Sequence, residues 1–236
     1  INMSFIAPLG TYFIFNDVLK EVKKGDKILV TMEYDIEHFG DIKTMLSVSD
    51  YYPEVKQYIK KEENIIEGIK DIANYKLKNV QNIFWNTLTV NHALNAKVSD
   101  VYSVYFRGAF SKKGDIISHL NNPSKAIDFK NFPNNFVDYS KQIADLNVFV
   151  AKSRLKGAEV FFIYPPLAES TYLHGKKAIE SIQQQMNKNA QCEILGNAED
   201  FIMPDRYFFD SFYHLNAQGR DLRTQKIVDL YKKVLK

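Results

Sequence analysis

Two short apolar runs, residues 27–34 (KILVTMEY) and 158–164 (AEVFFIY), constrain the fold of this chain more than any other feature. Each is too short for a core helix and is bounded by turn residues, Gly25-Asp26 before the first and Pro165-Pro166 after the second. Runs that stay apolar along their length suit strands covered on both faces, which belong to parallel sheets. Residues 192–195 read as a further short strand, and residues 1–5 (INMSF) as the end of a strand or a loop leaving one. The segments between have helical spacing. Residues 9–23 put Tyr12, Phe15, Leu19 and Val22 on one stripe, with Lys23-Lys24-Gly25 closing the helix. Residues 136–156 form the next helix, capped at Gly157, and residues 169–189 another. A last one covers 217–236, with Leu222, Ile227, Leu230 and Val234 apolar. Residues 51–97 also read as helical, and 100–134 as an irregular excursion, which together make a largely helical insertion around 50–134. Crossovers of this length predict an α/β fold with a parallel sheet covered on both faces. Ligands in such folds bind beyond the carboxyl ends of the strands. The segments after Tyr34, after Tyr164, and between Leu195 and the last helix are therefore where chemistry is sought.

Composition narrows the function. The 236 residues, 45% apolar and 25% charged, read as a single globular domain over 1–236. The net charge of +3 comes from 31 basic and 28 acidic side chains. Only Arg107, Arg154, Arg206, Arg220 and Arg223 supply guanidinium groups, and no basic stripe forms, so nucleic acid is not an expected partner. One cysteine, Cys192, rules out an internal disulfide framework and a cysteine-based metal cluster. There is no Gly-x-Gly-x-x-Gly, no Gly-Lys-Ser/Thr loop and no His-Glu-x-x-His, and no cofactor is expected. No apolar run reaches the ~20 residues that span a bilayer. The sequence opens on Ile1 with no signal segment before it, from which a domain that begins upstream is expected.

Three constellations stand in the segments singled out. Asp210-Ser211-Phe212-Tyr213-His214-Leu215-Asn216 enters the last helix. Extended, it would hold the Asp and His backbones ~13 Å apart. Curled, it lets the carboxylate accept the Nδ1 hydrogen of His214 and leaves Nε2 as a general base. The alternative is that Asp210 caps a turn and His214 packs at the helix start beside the cap residue Asn216. Glu33-Tyr34-Asp35-Ile36-Glu37-His38 follows the first strand. Its oxygen and imidazole groups invite a metal reading, but no second cluster completes such a site, and a solvated acidic loop accounts for Asp35 and Glu37. Tyr164-Pro165-Pro166-Leu167 ends the second strand, shaping a pocket wall or merely stopping the strand. His92, His119 and His174 read as structural.

An α/β domain that ends in Asp-x-x-x-His-Leu-Asn, followed by Gly219, Arg223 and Thr224, resembles the SGNH (GDSL-like) hydrolases, and most of all a largely uncharacterised bacterial subgroup. Asn2-Met3-Ser4, Lys24-Gly25-Asp26, Glu33-Tyr34, Gly114-Asp115, His119-Leu120 and Tyr164-Pro165-Pro166 carry the same resemblance. It implies a three-layer α/β/α, flavodoxin-like sheet and a Ser-His-Asp ester mechanism, with His214 as base and Asp210 as its orienter. Ser4 stands where the family has an oxyanion-binding glycine. Glu33 and Tyr34 lie where its asparagine is sought, and Tyr213 completes the substrate-binding set. A carboxyl at Glu33 donates to an oxyanion only when protonated. The family's nucleophilic serine sits on a first strand that would precede Ile1. Ser4, Ser47, Ser49 and Ser211 are available, but none has the strand–tight turn–helix setting of an exposed nucleophile. The implied function is an ester hydrolase or acyl transferase acting on O-acyl groups, O-acetyl among them, of surface carbohydrate. Aromatics at 101–110 and 207–213 would wall the sugar site, although core packing explains most of them equally well. The resemblance also implies an extracytoplasmic bacterial protein, periplasmic, at the cell surface, or held at the inner membrane by an N-terminal anchor. The alternative is a catalytically silent carbohydrate-binding or scaffold protein that keeps the fold.

Overall fold

A computed structural model describes residues 7–49, 51–59, 111–112, 115–120 and 122–234, together with residues 70, 73, 74, 76, 77, 80 and 81. Three strands, β1 (Lys27–Val30), β2 (Glu159–Phe162) and β4 (Glu193–Ile194), form a parallel sheet in the order β1-β2-β4. Lys27 pairs with Glu159 and Val30 with Phe162, while Phe161 pairs with Glu193. A second, two-residue parallel pair joins β3 (Leu167–Ala168) to β5 (Ile202–Met203). Around these strands stand α1 (Gly10–Glu21), α2 (Ile42–Ser49), α3 (Ser140–Leu155), α4 (Glu169–Asn189) and α5 (Ala217–Val234). The molecule is thus a mixed α/β protein, as the strand–helix alternation predicts. Among the described residues, no helix is long and apolar enough to cross a membrane.

Apolar side chains on β2 explain its central place. Val160, Phe161 and Phe162 are all buried, so both of its faces are covered. Phe161 meets the ring of Tyr231 on α5 edge-on at 5.6 Å, and Phe15 of α1 stacks on Phe149 of α3 at 5.0 Å. Leu146, Val150, Ile179, Ile182 and Met186 complete this core from α3 and α4. A smaller cluster of Leu9, Phe13, Met45 and Val55 joins α1 to α2 and to the 3-10 turn Pro53–Tyr58.

Several elements differ from their sequence expectation. β1 stops at Val30, whose carbonyl takes the last ladder bond, from Ile163 N–H. Residues 31–34 leave the sheet, and Leu29 is 39% exposed, so β1 is less covered than a fully buried strand. On α1, Tyr12 is 39% exposed and Phe13 is buried instead, because α2, a helix the periodicity did not suggest, offers Phe13 a second core. α3 begins at Ser140 rather than 136. The amides of Val137 and Tyr139 are held by Ser181 Oγ and Gln185 Oε1 of α4, which keeps residues 136–139 out of the helix. Of the expected helical stretch 51–97, residues 53–58 form the 3-10 turn and the described residues of 70–81 are helical; its other residues lie outside those described.

Candidate active site

The segment 208–215 folds back on itself beyond the carboxyl ends of β1 and β2. Phe208 and Leu215 form an antiparallel bridge, and Phe209 N–H donates to the His214 carbonyl at 2.7 Å. Inside that closure, Ser211 Oγ accepts the N–H groups of Tyr213 (3.3 Å) and His214 (3.2 Å). This serine turn curls the chain. It brings His214 Nδ1 to 2.8 Å from Asp210 Oδ1, the contact that the curled reading of the segment requires. The carboxylate side chain is 21% exposed and the imidazole 43%, so the pair sits at the surface, the imidazole more open than the carboxylate. With Nδ1–H donated to Asp210, the tautomer is fixed and Nε2 carries the lone pair that accepts a proton.

Neighbouring elements lock the loop in place. Ala168 N–H at the end of β3 donates to the Phe212 carbonyl, and His119 Nε2 donates to the Leu215 carbonyl at 3.0 Å. Asn216 caps α5: its Oδ1 accepts Gly219 N–H at 3.1 Å, while its Nδ2 donates to the Arg206 carbonyl. Tyr213 ties the loop to the segment after β1. Its hydroxyl accepts Tyr34 N–H at 2.9 Å and donates to Asp35 Oδ1 at 2.9 Å. Glu33 is held next door, where the Tyr139 hydroxyl donates to its carbonyl at 2.7 Å. Tyr34 is fully buried and its ring stacks on Tyr164, 6.4 Å between centroids.

Burial dominates the electrostatics here. It raises the phenol pKa values of Tyr34, Tyr139 and Tyr213 well above their ordinary range, with nearby Asp35 adding to the last two. Burial, and after it the charge of Asp35, pushes the Glu33 carboxyl up to about 7. A carboxyl so placed keeps its proton in mildly acidic solution, where the protonated form has an O–H to donate.

The structure thus gathers Asp210, Tyr213 and His214 with Tyr34 and Glu33 at one edge. Ser4 lies outside the described residues, as do the aromatics at 101–110. Among the serines, Ser211 is committed to the turn, and the buried Ser49 hydroxyl donates to the Leu46 carbonyl. Phe208 and Phe209 are core residues rather than sugar-facing walls. The acidic stretch after β1 disperses: Asp35 turns to Tyr213, while His38 Nδ1 lies 2.6 Å from Asp145 Oδ2 on α3, which also accepts the Thr11 hydroxyl. Among the described residues, no group of three or more His, Cys, Asp or Glu side chains comes close enough to hold a metal ion. The His38–Asp145 pair escaped the sequence reading because its partners are 107 residues apart with no motif linking them. Compared with family models, curated proteins and solved structures, the chain matches none of them.

Proposed function

We propose that this protein is an SGNH-like serine ester hydrolase or acyl transferase, with His214 as general base and Asp210 as its orienter. The observation that carries the reading is the 2.8 Å Nδ1–Oδ1 contact on a loop beyond the carboxyl ends of parallel strands. The strand order supports it. β1-β2-β4, adjacent and parallel in chain order, is the arrangement of the last three strands of a 2-1-3-4-5 flavodoxin-like sheet. The three-layer α/β/α architecture belongs to the same proposal.

In the proposed reaction, a serine oxygen attacks the ester carbonyl as His214 Nε2 takes the hydroxyl proton. Collapse of the tetrahedral intermediate expels the alcohol, which His214 protonates. Water, or a second alcohol in a transferase, then attacks the acyl-serine by the same proton path. Asp210 holds the ring and stabilises the imidazolium. Glu33, protonated below about pH 7, is the proposed donor to the oxyanion. The nucleophile is a serine outside the described residues. Proposed substrates are O-acyl groups of surface carbohydrate, in an extracytoplasmic setting, on the strength of the resemblance alone.

The silent carbohydrate-binding or scaffold reading draws on Ser211, the serine between the two residues of the pair, whose oxygen is taken by two backbone amides. Hydrolysis of p-nitrophenyl acetate by the full-length protein separates the two. His214→Ala is expected to lower kcat/KM by at least about 10³-fold and Asp210→Asn by a comparable factor. Equal, near-background turnover in wild type and His214→Ala overturns the enzyme reading in favour of the silent one.

A further inference from the structure

Asp35 is exposed, and in the sequence it reads as a solvated acid. Its carboxylate nevertheless ends a directed chain of hydrogen bonds. The buried Tyr34 has a backbone N–H that can only donate, so the Tyr213 hydroxyl oxygen accepts it at 2.9 Å. A phenol has one hydrogen, and Tyr213 gives it to Asp35 Oδ1, also at 2.9 Å. Donation to a carboxylate makes the phenol oxygen a better acceptor, so the two bonds strengthen each other. The backbone that carries Asp35 is fixed from the other side. Tyr139 donates to the Glu33 carbonyl at 2.7 Å, and Gln142 Nε2 of α3 to the Ile36 carbonyl at 2.8 Å. The Glu37 and His38 carbonyls accept the N–H groups of Thr11 and Tyr12 at the start of α1, at 2.9 and 3.0 Å. Residues 33–38 therefore form a shelf held by α1 and α3.

We propose that Asp35 is a positioning residue for His214: through the Tyr213 hydroxyl it moors the loop 208–215 to this shelf. The role rests on the reading of Asp210 and His214 as a catalytic pair, on which Asp35 acts from outside. Tyr213 and His214 are joined by one peptide link, so a swing of the phenol carries the imidazole with it. Ala168 N–H and His119 fasten the loop by its Phe212 and Leu215 carbonyls. Tyr213 is the side chain that joins it to the shelf. Without Asp35, the phenol hydrogen loses its acceptor and turns to water, and Tyr34 N–H loses a fixed partner. Small displacements matter at this point, since a shift of about 1 Å in a reacting group can lower turnover ~100-fold.

Hydrolysis of p-nitrophenyl acetate by the full-length chain, read together with amide hydrogen exchange, tests this. Kinetics at pH 6, on the acid side of the Glu33 titration, keep that carboxyl protonated, so loss of the neighbouring charge is read at the tie. Asp35→Ala is expected to lower kcat about tenfold with KM unchanged within about twofold. Asp35→Asn keeps an acceptor oxygen without the charge and is expected to lose less, about threefold. Tyr213→Phe is expected to match Asp35→Ala, and the double variant to be no slower than either, since both cut one chain of bonds. Exchange at the Tyr34 amide is expected to accelerate at least about tenfold in Asp35→Ala. The amides of Tyr213 and His214, held inside the turn by Ser211, are expected to stay within about twofold of wild type. That pattern marks a displaced pair rather than a dismantled loop. Losses that multiply in the double variant, wild-type kcat in Asp35→Ala, or unchanged exchange at Tyr34 overturns the inference. Wild-type turnover no higher than that of His214→Ala overturns the enzyme reading and the positioning role with it, whereas failure of the mooring alone leaves wild-type turnover intact.

Discussion

Burial brings the ionisation of Glu33 into the neutral pH range. The folded chain holds its proton up to about pH 7, whereas the unfolded chain releases it near 4.5. Between those values the folded state binds more protons, so stability falls as pH rises. The penalty is absent below pH 4.5 and complete above 7, on the order of 3 kcal/mol for a shift of this size. Glu33→Gln is expected to remove that slope. In urea denaturation the variant should match wild type at pH 4 and exceed it by about 2–3 kcal/mol at pH 8. On the proposed mechanism, glutamine also remains a donor at all pH values, so the loss of esterase turnover above pH 7 should flatten in the same variant. Tyr213→Phe tests the tie between the loop and the segment after β1. Losing the acceptor of Tyr34 N–H is expected to cost about 1–2 kcal/mol in stability, with kcat reduced more than KM. At this scale the Asp210–His214 contact was legible because a four-residue spacing can close within a single turn. The role of Ser211 was not, since a serine that builds a turn and one that attacks an ester look alike in sequence. Glu33 was expected at a strand end, but β1 stops at Val30, and its ionisation depends on burial and on Asp35, which the sequence alone does not weigh.

Elements were legible in proportion to how far their own periodicity decided them. α4 spans Glu169–Asn189, the expected range, but leaves helical geometry at Gly175; beyond that kink Ala178, Ile179, Ile182 and Met186 form one buried stripe, which periodicity shows. β3 and β5, two residues each, carry too little pattern to be seen and exist only because they pair with each other. The start of α3 was misjudged for the same kind of reason: Ser181 and Gln185 of another helix decide where it begins. α5 offers a test of local preference against packing. In an isolated helix, alanine in place of Gly219 would gain about 1 kcal/mol. Here a Cβ at that position would stand 2.3 Å from the Tyr207 carbonyl oxygen and 3.0 Å from Leu215. Gly219→Ala is therefore expected to lower stability by about 2–4 kcal/mol in thermal or urea unfolding, through overpacking against the loop that carries the dyad.

At the scale of the whole molecule, two apolar cores among the described residues share α1, with Phe13 in one and Phe15 in the other. The larger surrounds β2; the smaller is held by α2 and the turn Pro53–Tyr58. Met45 is fully buried at the centre of the smaller one, and Met45→Ala is expected to cost about 2–5 kcal/mol locally. Because this core is built apart from β2, on α2 and residues 53–58, the loss should appear as local opening. Hydrogen exchange is expected to accelerate in α2 and residues 53–58 while β2 stays protected; uniform loss across both would mean that the two cores unfold as one. The loop 208–215 behaves differently. Asp210 and His214 are joined by a turn whose closing bonds, from Ser211 and Phe209, are internal to it. The pair therefore moves as one piece when the anchors at Tyr213, His119 and Ala168 loosen. Damage to those anchors misplaces an acid–base couple that is still intact, so the proposed catalysis fails by misalignment long before it fails by disassembly.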